Sequence, residues 1–164
     1  MDCDLTIPDL PPATRFSRLG DSQADFDFSF EVKRQAIGPY ITAKWGWDES
    51  WQRDFHRQRF AALPLFKIAE NNAPIGTIAF YREQSWIRIG EFYLAPDVQK
   101  QGRGTAILRH CLAIAKLEAR PVRLEYLKWN PVGSLYRREG FAEIGENETH
   151  FFLEWRNPKG DRYN

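Results

Sequence analysis

Cysteine is almost missing from this sequence: among 164 residues, only Cys3 and Cys111 carry a thiol. One falls in an expected tail and the other inside a predicted helix, which excludes a disulfide framework and a CxxC metal or redox motif. A reducing cytoplasm is the compartment that fits. His56 and His150 stand far apart without ligand-spaced neighbours, so no metal site is expected. Long apolar runs are missing too. No eighteen apolar residues follow one another and the opening MDCDLTIPDLPP is acidic, so neither a membrane span nor a secretory leader is expected. Surplus charge of one sign is also lacking, with 23 Lys and Arg against 22 Asp and Glu. That balance leaves no global field to draw the chain to nucleic acid or an anionic membrane, so any polyanion site is local.

What the sequence does have is apolar and aromatic material, 43% and 15% of residues, enough to exclude disorder over most of its length. A chain of this size forms one domain that buries roughly 70% of its unfolded surface. The prolines at 8, 11 and 12 mark residues 1–13 as a loose extension, residues 14–156 read as one α/β domain, and residues 157–164 as a polar tail. TRFSRL reads as a first strand. DFDFSFE alternates like a strand, but Phe26, Phe30, Ile37 and Ile41 fall at helical spacing and Ser22 can cap, which favours a helix. Gly38 and Pro39 are expected to interrupt it, and WDESWQRDFHRQRFAAL to form a second helix with Asp48 or Glu49 in its first turn.

LFKIAE, a turn over NNAPIG and then TIAFY predict a hairpin, followed by the strand IRIGEFYLAP. Helical periodicity then runs from about residue 104 to 118, with Ile107, Leu108, Cys111, Leu112 and Ala115 on one core-facing stripe. That stripe points Cys111 away from His110, so the two form no nucleophilic pair. VRLEYLKW is a further strand. NPVGSLYRREG predicts a short helix with Asn130 as N-cap, Pro131 at the first helical position and Gly140 as its stop, before a final hairpin of FAEIGEN and HFFLEW.

The stretch QKQGRGTAILRH sets Gly102 and Gly104 among basic side chains in front of the long helix. No third glycine and no Lys-Ser or Lys-Thr pair follow, which rejects the dinucleotide and Walker A loops. Free N–H groups remain at a helix N-terminus carrying about half a positive charge, where glycine lets a ligand approach the backbone. Lys100 and Arg103 add full charges, a combination suited to pyrophosphate; a plain tight turn with solvated cations is the competing reading.

LAPDVQKQGRGTAIL resembles the central motif of the GNAT N-acetyltransferase superfamily, with Gln99, Gly102 and Gly104 at its defining positions. NPVGSLYRREGF resembles the family's second motif through Asn130, Leu135, Tyr136, Gly140 and Phe141. The resemblance covers roughly residues 14 to 155 and departs where Gly133 replaces the usual alanine, a change worth up to roughly 1 kcal/mol of helix propensity. It implies a mixed, mostly antiparallel sheet of about seven strands flanked by about four helices, the acyl-CoA N-acyltransferase fold of the α/β (α+β) class.

The implied activity is transfer of an acetyl group from acetyl-CoA to a primary amine by direct attack through a tetrahedral intermediate. In the implied complex the backbone of Gln101, Gly102, Arg103, Gly104 and Thr105 binds the pyrophosphate beside Gln99 and Lys100. The pantetheine arm lies along Leu94 and Ala95, and an N–H near Leu94 faces the thioester carbonyl. Tyr136 is implied as the acid that protonates the departing thiolate, and a half-buried core aromatic is its other reading. Asn130 caps its helix first and lies near coenzyme A second. No residue is marked as the base; Glu91 and Glu125, on neighbouring strands, are the candidates. In this family the two helices after the first strand border the acceptor site, so Trp45, Trp47 and Trp51 either wall a pocket or only pack, with Asp48 and Glu49 expected to attract a cationic amine. A small-molecule or peptide amine is the expected acceptor, homodimers are frequent in the family, and no metal is implied. The alternatives are a non-catalytic acyl-CoA sensor of the same fold and a basic-loop protein for another phosphate ligand.

Overall fold

The structure, a computed structural model, describes residues 6–158. Cys3 and tail residues 159–164 lie outside the described residues. In chain order the elements are β1 (Thr14–Arg18), α1 (Gln23–Trp45), α2 (Glu49–Ala62), β2 (Leu65–Glu70), β3 (Ala73–Arg82) and β4 (Ile87–Leu94). After a 3₁₀ turn at Pro96–Val98 come α3 (Arg103–Leu117), β5 (Val122–Leu127), α4 (Gly133–Arg138), β6 (Ala142–Glu146) and β7 (His150–Trp155). The seven strands form one sheet in the order β1-β2-β3-β4-β5-β7-β6. Only β4 and β5 run parallel, because α3 crosses over between them. The mixed, mostly antiparallel sheet with four helices is the fold that the resemblance implies.

Strand alternation builds two cores. Phe66, Ile78 and Phe80 face α3, whose stripe of Ile107, Leu108, Cys111, Leu112 and Ala115 is buried as the periodicity predicts. The intervening Leu65 and Ala79 face the other way, toward Phe28 of α1 and Phe60 of α2. The ambiguous segment resolves as helix: Ser22 Oγ accepts the Asp25 N–H at 3.1 Å, and Phe26, Phe30, Ile37 and Ile41 are all buried.

Several local expectations need correction. The helix α1 does not stop at Gly38 and Pro39 but continues to Trp45. Pro39 is exposed, so its missing N–H leaves a carbonyl that water can reach, while Ile37 and Ile41 on either side are buried. Of the two acidic candidates for the first turn of α2, Glu49 occupies it and Asp48 is the N-cap, accepting the Trp51 N–H at 2.9 Å. The first hairpin turns on Asn71 and Asn72 alone, both at positive φ, and β3 already begins at Ala73. Helix α4 starts at Gly133, not Pro131; Asn130 Oδ1 still accepts a backbone N–H, that of Val132 at 3.1 Å, and Gly140 at φ 96° ends the segment as predicted. The described part of the N-terminal extension is not loose. Ile7 is buried in the main core, and the Pro8 carbonyl lies 2.6 Å from His110 Nε2 on α3.

Gly133 has a steric cause. A Cβ there would meet Tyr126 Oη at 2.2 Å, and that hydroxyl accepts from Arg137 Nη1 at 2.6 Å. Gly133→Ala should therefore destabilise the protein by about 1–3 kcal/mol, the overpacking cost exceeding the gain in helix propensity. Urea unfolding of the variant measures it; a stability equal to or above wild type would contradict the clash.

Candidate active site

The strands β4 and β5 pair at only two positions, Ile87 with Val122 and Arg88 with Arg123. From there they part. Strand β4 spends three steps from Gly90 to Tyr93 where β3 spends two, a bulge that puts Glu91 at φ 43° and bends the strand. Strand β5 meanwhile stays paired with β7 along its whole length. A cavity of about 760 Å³ opens between them, lined by Gly90 and Tyr93 on one side and Leu124 and Tyr126 on the other, with α1 and α2 closing it. The Ala95 N–H donates to Ile75 O in β3 at 2.8 Å, so alternation turns the backbone edge of Leu94 toward the parted side. Gln99 Nε2 holds Leu94 O there, at 2.8 Å.

The basic loop follows directly. Lys100 and Gly102 both have left-handed backbone, at φ 59° and 80°, and α3 opens without a side-chain cap, so its first N–H groups keep their unmet donors. Nothing lies within 4 Å of a Cβ built on Gly102, so its glycine meets a conformational need; at Gly104 the nearest atoms are at ordinary contact distance. Arg103 is not a free cation. Its Nε and Nη2 grip the Glu70 carboxylate at 2.8–2.9 Å and its Nη1 donates to Gln101 Oε1, while Gln101 Nε2 donates to Asp97 O at 2.9 Å. Lys100 has no such partner among the described residues and is exposed. Thr105 lies in the first turn of α3.

Tyr136 projects from α4 into the same cavity and is buried, with ring centroids 5.8 Å from both Tyr126 and Phe141. The ring is part of the core and also lines the cavity. Burial raises the phenol well above its ordinary pKa, so it is protonated at neutral pH. Asn130 lines the cavity nearby.

Of the two candidate bases, Glu91 is the more deeply buried. It is buried between Lys33, at 3.6 Å, and Arg59. Burial alone would raise its carboxyl pKa, but the two cations outweigh that and hold it below the ordinary value. A carboxylate so stabilised is a weak proton acceptor. Glu125 lines the cavity, pairs with Arg88 at 3.2 Å and is one-third exposed.

Trp45, Trp47, Asp48 and Trp51 all line the cavity from α1 and α2. Trp45 and Trp51 are 56% and 58% exposed, so they wall its mouth rather than fill a core. Glu49 is turned elsewhere, accepting from Trp47 Nε1 at 2.7 Å and pairing with Arg53. Beside Glu91, buried His56 faces Ser29 Oγ at 2.7 Å; burial lowers its pKa to about 4, so it is neutral.

Lys33 and Arg59 escape a sequence reading. Lys33 had one signal, since it sits on the buried stripe of α1 between Phe30 and Ile37; Arg59 had none, because its partner lies 32 residues away. No helix among the described residues is long and apolar enough to cross a membrane, and no group of three or more His, Cys, Asp or Glu among them could hold a metal ion.

Residues 63–143 match the family model of the GNAT acetyltransferase domain. A search of curated proteins finds no significant match. Among solved structures, the PaiA N-acetyltransferase of Thermoplasma acidophilum in complex with coenzyme A is similar at 18% identity, with a TM-score of 0.70 over 89% of this chain and 100% of that one. The ribosomal-protein-S18-alanine N-acetyltransferase of Escherichia coli is 17% identical, with a TM-score of 0.62 over 87% and 93% of the two chains. A GNAT family acetyltransferase of Elizabethkingia anophelis with acetyl-CoA bound is 16% identical, with a TM-score of 0.62 over 88% and 99%.

Proposed function

The chain belongs to the GNAT acetyltransferase family, and from that premise we propose that residues 14–156 form an acetyl-CoA-dependent N-acetyltransferase acting on a primary amine. One observation carries the reading: the parted strands β4 and β5 open a cavity that also receives Tyr136, and a Cβ at Gly104 in the uncapped first turn of α3 would lie 3.6 Å from Leu94 and 3.7 Å from Leu135, the chain neighbours of the lining residues Tyr93 and Tyr136. Coenzyme A fits this arrangement, with backbone N–H groups of residues 101–105 and the Lys100 charge for its pyrophosphate and the parted edge of Leu94, next to Ala95, for its pantetheine arm. When bound, it supplies the thioester.

The chain's own residues do the rest. The acceptor nitrogen forms a bond to the acetyl carbon, and the bond from that carbon to sulfur breaks. The Leu94 N–H, preorganised on the parted edge, stabilises charge gathered on the carbonyl oxygen. Glu125 takes the proton that the amine sheds, directly or through water, while Tyr136 gives its proton to the departing sulfur. Apolar walls from α1 and α2 keep bulk water away.

Incubation with acetyl-CoA and an amine panel, read by mass spectrometry, tests the activity. Stabilisation by acetyl-CoA with no product from any amine would instead favour a non-catalytic acyl-CoA sensor, and equal stabilisation by ATP some other phosphate ligand. Within the loop, Lys100→Ala should weaken coenzyme A binding about 3- to 10-fold at low salt and less at high salt, as screening of an exposed charge requires. Calorimetric titration at two ionic strengths measures this; unchanged affinity at both would remove Lys100 from the site.

A further inference from the structure

This inference rests on the acetyltransferase reading and concerns the class of amine accepted. Three carboxylates and three cations line the cavity, but their pairing is unequal. Asp48 is engaged by the Trp51 N–H and Glu125 pairs with Arg88. At the floor, Glu91 alone faces two cations, Lys33 and Arg59, and neutral His56 adds no charge. One positive charge is left over.

That surplus resides on a group built to be used. Arg59 gives only its Nε to Glu91, and its two terminal amino groups have no partner among the described residues. Its side chain is 34% exposed and lines the cavity. The ring of Phe55 lies 5.0 Å from Lys33 Nζ and 5.7 Å from Arg59 Cζ, which steadies both cations from one side. Ile37, Ile41 and Trp47 make the surrounding wall apolar. An uncompensated cation in such a place is costly, and a guanidinium end with free donors matches a carboxylate two bonds at a time.

We infer that the acceptor is an amine that also bears a carboxylate, held at the cavity floor by the terminal amino groups of Arg59. A single negative charge balances the floor. A phosphate dianion would overshoot it and a polyamine would add to the surplus, so neither suits the floor. The apolar part of the acceptor lies against Phe55 and Trp47, and its amine points to the parted strands.

Matched pairs test the inference without any variant: leucine against isoamylamine and phenylalanine against phenethylamine, assayed with acetyl-CoA by thiol release. The carboxylate member should have the higher kcat/KM by about tenfold or more, the range of a hydrogen bond to a charged group. Arg59→Gln should bring that ratio close to one, mainly through KM. A binding arm needs neither turnover nor a folded variant: with coenzyme A present, wild type should bind N-acetylleucine about tenfold tighter than N-acetylisoamylamine. Equal use of both members, preference for the decarboxylated amine, or equal binding of the two products overturns the inference. Failure of the underlying reading looks different, as coenzyme A would then not bind and neither member of any pair would be acetylated.

Discussion

Replacing Tyr136 by Phe should lower kcat by about 100-fold or more while leaving coenzyme A affinity within about twofold, the size expected for loss of a positioned general acid. The substitution removes one oxygen and keeps the ring that packs against Tyr126 and Phe141, so folding stability should change little. Desolvation holds the phenol in its protonated form across the neutral range, so the proton is in place when the thiolate departs. Steady-state kinetics with a turned-over amine, alongside coenzyme A titration, separate the two effects. Full activity in the variant would remove Tyr136 from the reaction and leave it a core residue.

Glu91→Gln should cost about 3–5 kcal/mol of stability at pH 7, because it leaves Lys33 buried beside Arg59 with no negative charge between them. Lys33 bears the consequence most directly: burial already lowers its pKa, and Glu91 is what opposes that shift. The pH dependence has a definite sign. The folded pKa of Glu91 lies below its ordinary value of 4.5, so its contribution is complete above that pH and is lost as pH falls through the folded value. The gap between wild type and variant should therefore be widest near pH 7 and narrow as pH drops below about 4.5. Urea unfolding at pH 7, 5 and 3.5 measures it. A gap that is constant with pH, or a variant as stable as wild type at pH 7, would mean that the carboxylate charge does not hold this cluster.

Much of the fold was legible because its signals are local. Ser22, Asp48 and Asn130 each cap a backbone N–H within three residues, so the side chain and the turn it makes are written side by side. The stripe of α3 needs only a period of 3.6, and Gly102 and Gly140 needed only their positive φ to mark a start and a stop. Pro39 misled for the same reason. Its local effect is to interrupt a helix, and the local signal was overridden by the burial of Ile37 and Ile41 on either side of it.

By itself, then, the sequence determined most of the elements, the glycine turn at Gly102 and the presence of Tyr136 on a short helix, since each depends on backbone conformation over a few residues. Tertiary structure alone decided three things. It slotted β7 between β5 and β6, parted β4 from β5 to open the cavity, and brought Lys33, Arg59 and Glu91 from two helices and a bulged strand into one buried cluster. It also tied Arg103 to Glu70, turning an expected free cation into half of an ion pair. The physical reason is common to all of them. Burial and Coulomb interaction depend on distance in space, and a chain's hydrophobic and turn patterns carry no record of which distant charges the fold will set a few ångströms apart.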